Sequence, residues 1–417
     1  MISPNLIYYS FILFFTITII IKVILLILNI KNIKRNYSDV PNEFQSIISL
    51  DDHQKAQNYT VAKNKLSITS IIIESIVLIV WLETGLLNQL LSIIAQVSSS
   101  PVMQGVCFIF AFMLISSIFS LPESLYSTFV IEEKFGFNKM TPALFLKDML
   151  KQFLLAAIIG LPFLFITLKI LYGLGSLWWL YTWAFIIVFQ FIMIWAYPKF
   201  IAPLFNKFTK MEDEELIQNI NSLSDRCDVN FKDYYIMNAS IRSSHGNAYF
   251  TGFGKNKRIV FFDTLLKSLE QNEVVSVLAH ELGHLKRKHI LKSIILSSLF
   301  MLAGLFVLGQ LYIMPSFFQA FNFQSNEPYL AMLLFMLISP FYTFLLTPFF
   351  SWLSRRNEFE ADEFAATFAS AKALITALLK MYKDNSSTLT PHPVYSKFYF
   401  SHPPAKERIE FLNSFPS

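Results

Sequence analysis

Seven stretches of this chain are long and apolar enough to cross a bilayer, and no other feature limits its architecture as much: 7–30, 67–92, 104–122, 153–172, 177–196, 292–314 and 330–350. A spanning helix needs about 20 mostly apolar residues, and in hydrocarbon every backbone polar group must be bonded within the protein. A polytopic, mostly α-helical membrane protein meets both demands. The composition agrees: of 417 residues, 54% are hydrophobic and 15% charged, outside the usual range of soluble domains. The first stretch is too long for a signal-peptide core and runs into Lys31, Lys34 and Arg35, so it reads as a retained membrane helix.

The connections sort by charge. Segment 31–66 carries Lys31, Lys34, Arg35, Lys55, Lys63 and Lys65, and segment 123–152 carries Lys134, Lys139, Lys147 and Lys151; the alternate connections at 93–103, 173–176 and 315–329 hold no Lys or Arg. Positive loops stay in the cytoplasm, which predicts an N-terminus outside and a cytoplasmic C-terminus. Four regions follow: a membrane region 1–196 with five spans, a polar cytoplasmic segment 197–291, spans six and seven in 292–350, and a cytoplasmic segment 351–417. The net charge of +5 is dispersed beside the spans and does not form a nucleic-acid patch. Two cysteines, Cys107 and Cys227, exclude a disulfide framework and a cysteine metal cluster. Lys22, Glu74, Glu83 and Lys169 fall inside apolar runs, where an ionisable group faces a hydrated interior or snorkels to an interface. Their roles stay open between the two.

Within 197–291 the pattern is that of a soluble fold. Met211 to Cys227 reads as an amphipathic helix, and Tyr234–Met237, Ala248–Phe253 and Arg258–Phe262 read as short strands, the last two joined by a turn at Gly252, Gly254 and Asn256. A helix is expected from about Asn272. It contains VSVLAHELGHLKRKH at 275–289, where the helical pitch puts His280 and His284 on one face, one turn apart. Two imidazoles there can hold one metal ion, while the neighbouring Glu281 can deprotonate its water. Nitrogen and carboxylate donors with one open position suit a single catalytic Zn2+ per chain. The best third ligand lies in SRRNEFEADEF at 354–364: Glu358 and Asp362 share a helix face, the first to ligate and the second to accept a hydrogen bond from a ligating imidazole. Glu360 is rotated about 200° from Glu358 and should point elsewhere.

These motifs, with HQKAQNYTVAK at 53–63, FVIEEKFGFNKMT at 129–141, SSHGNAYFTGFGKNKRIVFFDTLL at 243–266 and SHPPAKERI at 401–409, resemble the type I CAAX prenyl endopeptidase family of integral-membrane zinc metalloproteases. The resemblance implies zinc ligands His280, His284 and Glu358 with Glu281 as general base. It further implies that His402 donates a hydrogen bond to the tetrahedral oxyanion, that Arg408 supports it nearby, and that Asn247, Ala248 and Tyr249 form an edge strand binding substrate backbone. The implied fold is a barrel of seven transmembrane helices around a water-filled chamber, joined to a zincin-like domain with a small β-sheet.

The expected activity is zinc-dependent peptide-bond hydrolysis in a multi-pass membrane protein of a bacterial inner membrane or the endoplasmic reticulum, in contact with membrane lipids. The partner is a peptide or protein substrate, prenylated at a C-terminal Cys and losing the tripeptide beyond it in the narrower reading, unmodified in the alternative of a broad quality-control endopeptidase. A metal-regulated transporter is the rival from another class, and the lack of an apparent internal repeat counts against it. Oligomeric state is not legible.

Overall fold

The computed structural model describes residues 2–251 and 258–415. Among the described residues, seven helical units are long and apolar enough to cross a membrane: Pro4–Arg35, Leu50–Glu83, Pro101–Phe135, Pro142–Gly173, Gly175–Phe205, His289–Leu311 and Pro328–Phe368. Several far exceed the length a bilayer needs. Leu50–Glu83 starts on a capping box between Ser49 and Asp52, so residues expected in a connection are instead its first turns. The expected span 67–92 is not one helix. It ends at Glu83, the chain turns through Gly85 at φ 78°, and a separate helix Leu86–Ala95 follows. Glu83 therefore sits at a helix end. Lys22 and Lys169 lie over aromatic rings, 5.5 Å from the Phe344 centroid and 5.7 Å from that of Phe165.

The helices form a barrel around a chamber. In each span only 11–33% of the apolar window is buried, as expected of a single-layered wall rather than a filled bundle. At one end of the spans, Phe11, Trp81, Phe108, Trp178, Phe317, Phe321 and Leu330 are buried together in one cluster. That end is opposite the connections rich in Lys and Arg. The seventh unit is broken: Pro328–Thr343 gives way to a tight turn at Phe344–Leu346, then Thr347–Phe368 continues. Pro340 lacks the N–H that a continuous ladder requires, and Pro348 restarts the helix in its first turn, where that N–H is not needed.

The polar segment between spans five and six holds a four-stranded sheet: β1 (Phe208–Lys210), β2 (Asp233–Met237), β3 (Ala248–Thr251) and β4 (Arg258–Phe262), in the order β1-β2-β4-β3. β1 pairs antiparallel with β2, β2 parallel with β4, and β3 antiparallel with β4 in the register Tyr249↔Val260. The three expected strands are present, and β1 is an addition: three residues are too few to show an alternating pattern. The expected turn at Gly252, Gly254 and Asn256 lies outside the described residues. Helix Glu214–Arg226 is capped by Asp213 and packs with Ile259, Phe261, Leu278, Leu282, Ala365, Leu374 and Leu412 into a second core. This core clamps the motif helix, Gln271–Lys286, between the sheet and Thr347–Phe368.

Candidate active site

The motif helix begins on a capping box between Glu270 and Glu273 and buries Val274, Val277, Leu278, Ala279 and Leu282. Glu273 also takes a hydrogen bond from Lys380 Nζ at 2.8 Å, which fixes the helix start against Ala371–Asp384. With its apolar face committed to the core, the helix turns His280 and His284 toward Thr347–Phe368. Gly283 lets the two helices touch: a Cβ there would lie 2.8 Å from the Ala361 Cα and 3.0 Å from the Phe364 Cβ. This close approach brings Glu358, one turn before Ala361, to the histidines.

His280, His284 and Glu358 offer ligand atoms that all lie within 4.8 Å of one another. The two Nε2 atoms are 3.3 Å apart, His280 Nε2 is 3.4 Å from Glu358 Oε2, and His284 Nε2 is 3.3 Å from Glu358 Oε1. Glu358 is buried, and its Oε2 has no well-aligned hydrogen bond, although His402 Nδ1 lies 2.7 Å away. A buried carboxylate oxygen without a proper donor and two facing imidazole nitrogens form a set of lone pairs in search of a cation. Two nitrogens and a carboxylate at one point fit a metal ion, and the donor types suit zinc.

The outer face of His280 is held as tightly. Its Nδ1 lies 2.8 Å from Asp362 Oδ1, and Asp362 in turn accepts from Arg408 Nε at 2.8 Å and Nη2 at 2.5 Å. Asp362 is fully buried and Arg408 nearly so. Burial alone would lower the His280 pKa, but hydrogen bonds to Asp362 and Glu358 outweigh it and hold the ring at about 9. Burial likewise opposes charge on Arg408, and Asp362 reverses that by attraction.

Glu281 is partly exposed on the wall of a cavity of about 810 Å³ that His280, Asn247, Tyr399, His402 and Arg408 also line. The structure thus brings together Glu281, His402, Arg408, Asn247 and the three candidate ligands. Ala248 and Tyr249 sit further along β3, outside the cavity lining but on the free edge of the sheet. His245, which no sequence motif singles out, accompanies them on the cavity wall. It stacks on Phe137 at 4.6 Å, lies 3.1 Å through Nδ1 from Asn385 Oδ1, and faces Glu132. All three partners are remote in sequence, so no local pattern signals the group. Glu360 does point away from Glu358, as expected, yet it is not an idle surface carboxylate, because it meets His289.

Two family models match consecutive parts of the chain: CAAX prenyl protease N-terminal, five membrane helices, over 29–207, and peptidase family M48 over 210–415. CAAX prenyl protease 1 of Saccharomyces cerevisiae is 36% identical over 411 residues, covering 91% of this chain and 90% of that protein. The CAAX prenyl protease 1 homolog of Mus musculus is 33% identical, covering 92% and 90%. The crystal structure of S. mikatae Ste24p superposes with a TM-score of 0.91 at 32% identity, over 99% of this chain and 100% of the other.

Proposed function

Because this chain belongs to the CAAX prenyl protease family of M48 metallopeptidases, and is a membrane metalloendopeptidase, we propose that it removes the C-terminal tripeptide from proteins prenylated on the preceding cysteine. The observation that carries the reading is the convergence of His280, His284 and Glu358 on one point, with His280 on a cavity wall that also bears Glu281.

His280, His284 and Glu358 would hold the metal ion, and their donor set suits zinc. When bound, it supplies a Lewis acid that acidifies water and polarises the scissile carbonyl. Glu281, beside His280 and facing the cavity, takes a proton from the attacking water and returns it to the departing amine. His402, 2.7 Å from Glu358, donates to the oxyanion as charge develops. Arg408 acts through Asp362, whose carboxylate fixes the tautomer and orientation of His280. Asn247, at the start of the edge strand, aligns substrate backbone with the site, and Ala248 and Tyr249 continue that alignment by strand addition. The positive-inside pattern supports a cytoplasmic site. The relatives named above are eukaryotic, which favours the endoplasmic reticulum over a bacterial membrane.

A farnesylated CAAX peptide and its unprenylated counterpart, assayed side by side on the full-length protein in lipid, test the reading. Preference for the farnesylated peptide is expected, and equal rates would move the function to general membrane-protein proteolysis. Glu281→Gln should abolish cleavage of both peptides with zinc still near one per chain; unimpaired turnover refutes the assignment of Glu281.

A further inference from the structure

His289 opens the sixth span, His289–Leu311, and none of the roles above uses it. On an unbroken helix, a residue five places beyond His284 is rotated about 140° away from it. The helix is broken. The motif helix ends at Lys286, Arg287 caps it, and Lys288 adopts φ 57°, ψ 34°. A lysine in the left-handed region is strained and persists only where its surroundings demand it. The turn swings His289 back beneath the motif helix, where it is 3% exposed. Its Nδ1 lies 3.0 Å from His284 Nδ1, and its Nε2 lies 3.1 Å from Glu360 Oε2. The other Glu360 oxygen faces Arg356 Nε at 3.5 Å.

The chemistry of these atoms fixes the direction of every link. Two facing Nδ1 atoms can share one proton. If His284 presents the Nε2 lone pair to a metal ion, its proton is on Nδ1, which donates to His289. His289 then accepts at Nδ1 and carries its own proton on Nε2, which donates to Glu360, a group that only accepts when ionised. One tautomer for each ring satisfies the whole chain.

We propose that His289 and Glu360 are positioning residues for His284, holding its ring and tautomer as Asp362 and Arg408 hold His280. The two ligating imidazoles therefore have unlike supports: a carboxylate gripped by arginine on one side, and a neutral imidazole backed by a carboxylate on the other. The inference rests on the metal-site reading above.

The test uses full-length, zinc-loaded protein in detergent and reads zinc release to a chromogenic chelator together with kcat and KM. His289→Leu removes the acceptor, and release should quicken by about 10–100-fold, with kcat falling and KM little changed. His289→Asn, whose Oδ1 can replace Nδ1 as acceptor, should recover most of the loss. Glu360→Gln, at a partly exposed position, should show a smaller increase in release. Wild-type release from His289→Leu overturns the proposal, as does an Asn variant no better than Leu, which would mean that His289 only fills space. If His289→Leu does not fold, wild-type release from Glu360→Gln overturns it instead. His284→Ala separates the two levels: if it keeps its zinc, the metal-site reading itself fails, whereas if it loses zinc while His289→Leu behaves as wild type, only the positioning role is lost.

Discussion

Gly283→Ala is a one-carbon change that should disable the site without touching a functional side chain. The added Cβ would sit 2.8 Å from the Ala361 Cα, 3.2 Å from the Ala361 Cβ and 3.0 Å from the Phe364 Cβ. Carbon atoms prefer about 3.5–4.0 Å, so Thr347–Phe368 must retreat by roughly 0.7 Å. A backbone atom cannot rotate out of the way as a side-chain end can. Two terms set the effect on stability. Overpacking costs about 1–3 kcal/mol, while replacing a mid-helix glycine by alanine returns about 0.5–1 kcal/mol, leaving a net loss of about 1 kcal/mol. The effect on the metal should be larger than that loss suggests. Glu358 moves with Ala361, and ligand distances tolerate only about 0.2 Å, so zinc affinity should fall by at least about tenfold. Zinc content after dialysis against a graded chelator series, with thermal unfolding in the same detergent, measures both. Gly173→Ala is the control, since a Cβ there meets nothing within 4 Å. Gly283→Val should be worse than Ala. Wild-type zinc affinity and turnover in Gly283→Ala would refute the claim that close helix contact positions Glu358.

Other perturbations probe the same frame. Arg408→Ala leaves Asp362 as a buried carboxylate facing His280 alone, and should cost about 3–5 kcal/mol with loss of zinc retention; a smaller drop in unfolding temperature than in Arg408→Lys would contradict the paired-charge account. Chelation of the wild-type protein should stop peptide cleavage, and added zinc should restore it; cleavage that persists in the metal-free protein would remove zinc from the mechanism. Lys380→Met removes the hydrogen bond to buried Glu273 and should cost about 1–3 kcal/mol at neutral pH. That hydrogen bond raises the Lys380 pKa, so its stabilisation is fully present below the ordinary lysine pKa and is lost as pH rises through the raised value. The unfolding curves of wild type and Lys380→Met should therefore converge at strongly alkaline pH, and a gap constant with pH would assign the loss to packing.

The membrane class, the number of crossings and the histidine pair were legible because each depends on short-range rules. Hydrocarbon thickness fixes how long an apolar run must be, and a 3.6-residue pitch places His280 beside His284 whatever surrounds them. Glu358 and Asp362 were readable as a pair for the same reason, and the likeness of several segments to a known family supplied His402 and Arg408, which no local pattern marks. Helix ends were less legible. Gly85 splits an apolar run that reads as continuous, and Ser49 starts a helix in residues polar enough to pass for a loop.

What only the tertiary structure decided is which distant groups meet. Asp362 is gripped by Arg408, and His280 reaches Glu358 because Gly283 admits a second backbone. His289 returns to His284 because Lys288 takes a left-handed turn that helical spacing would deny. Sequence periodicity encodes which face a residue is on, but the distance between two faces is set by the smallest side chain between them and by the dihedral angles of the residue that joins two helices. Those are properties of the packed chain, and here they bring a five-residue motif together with Glu358, a candidate third ligand.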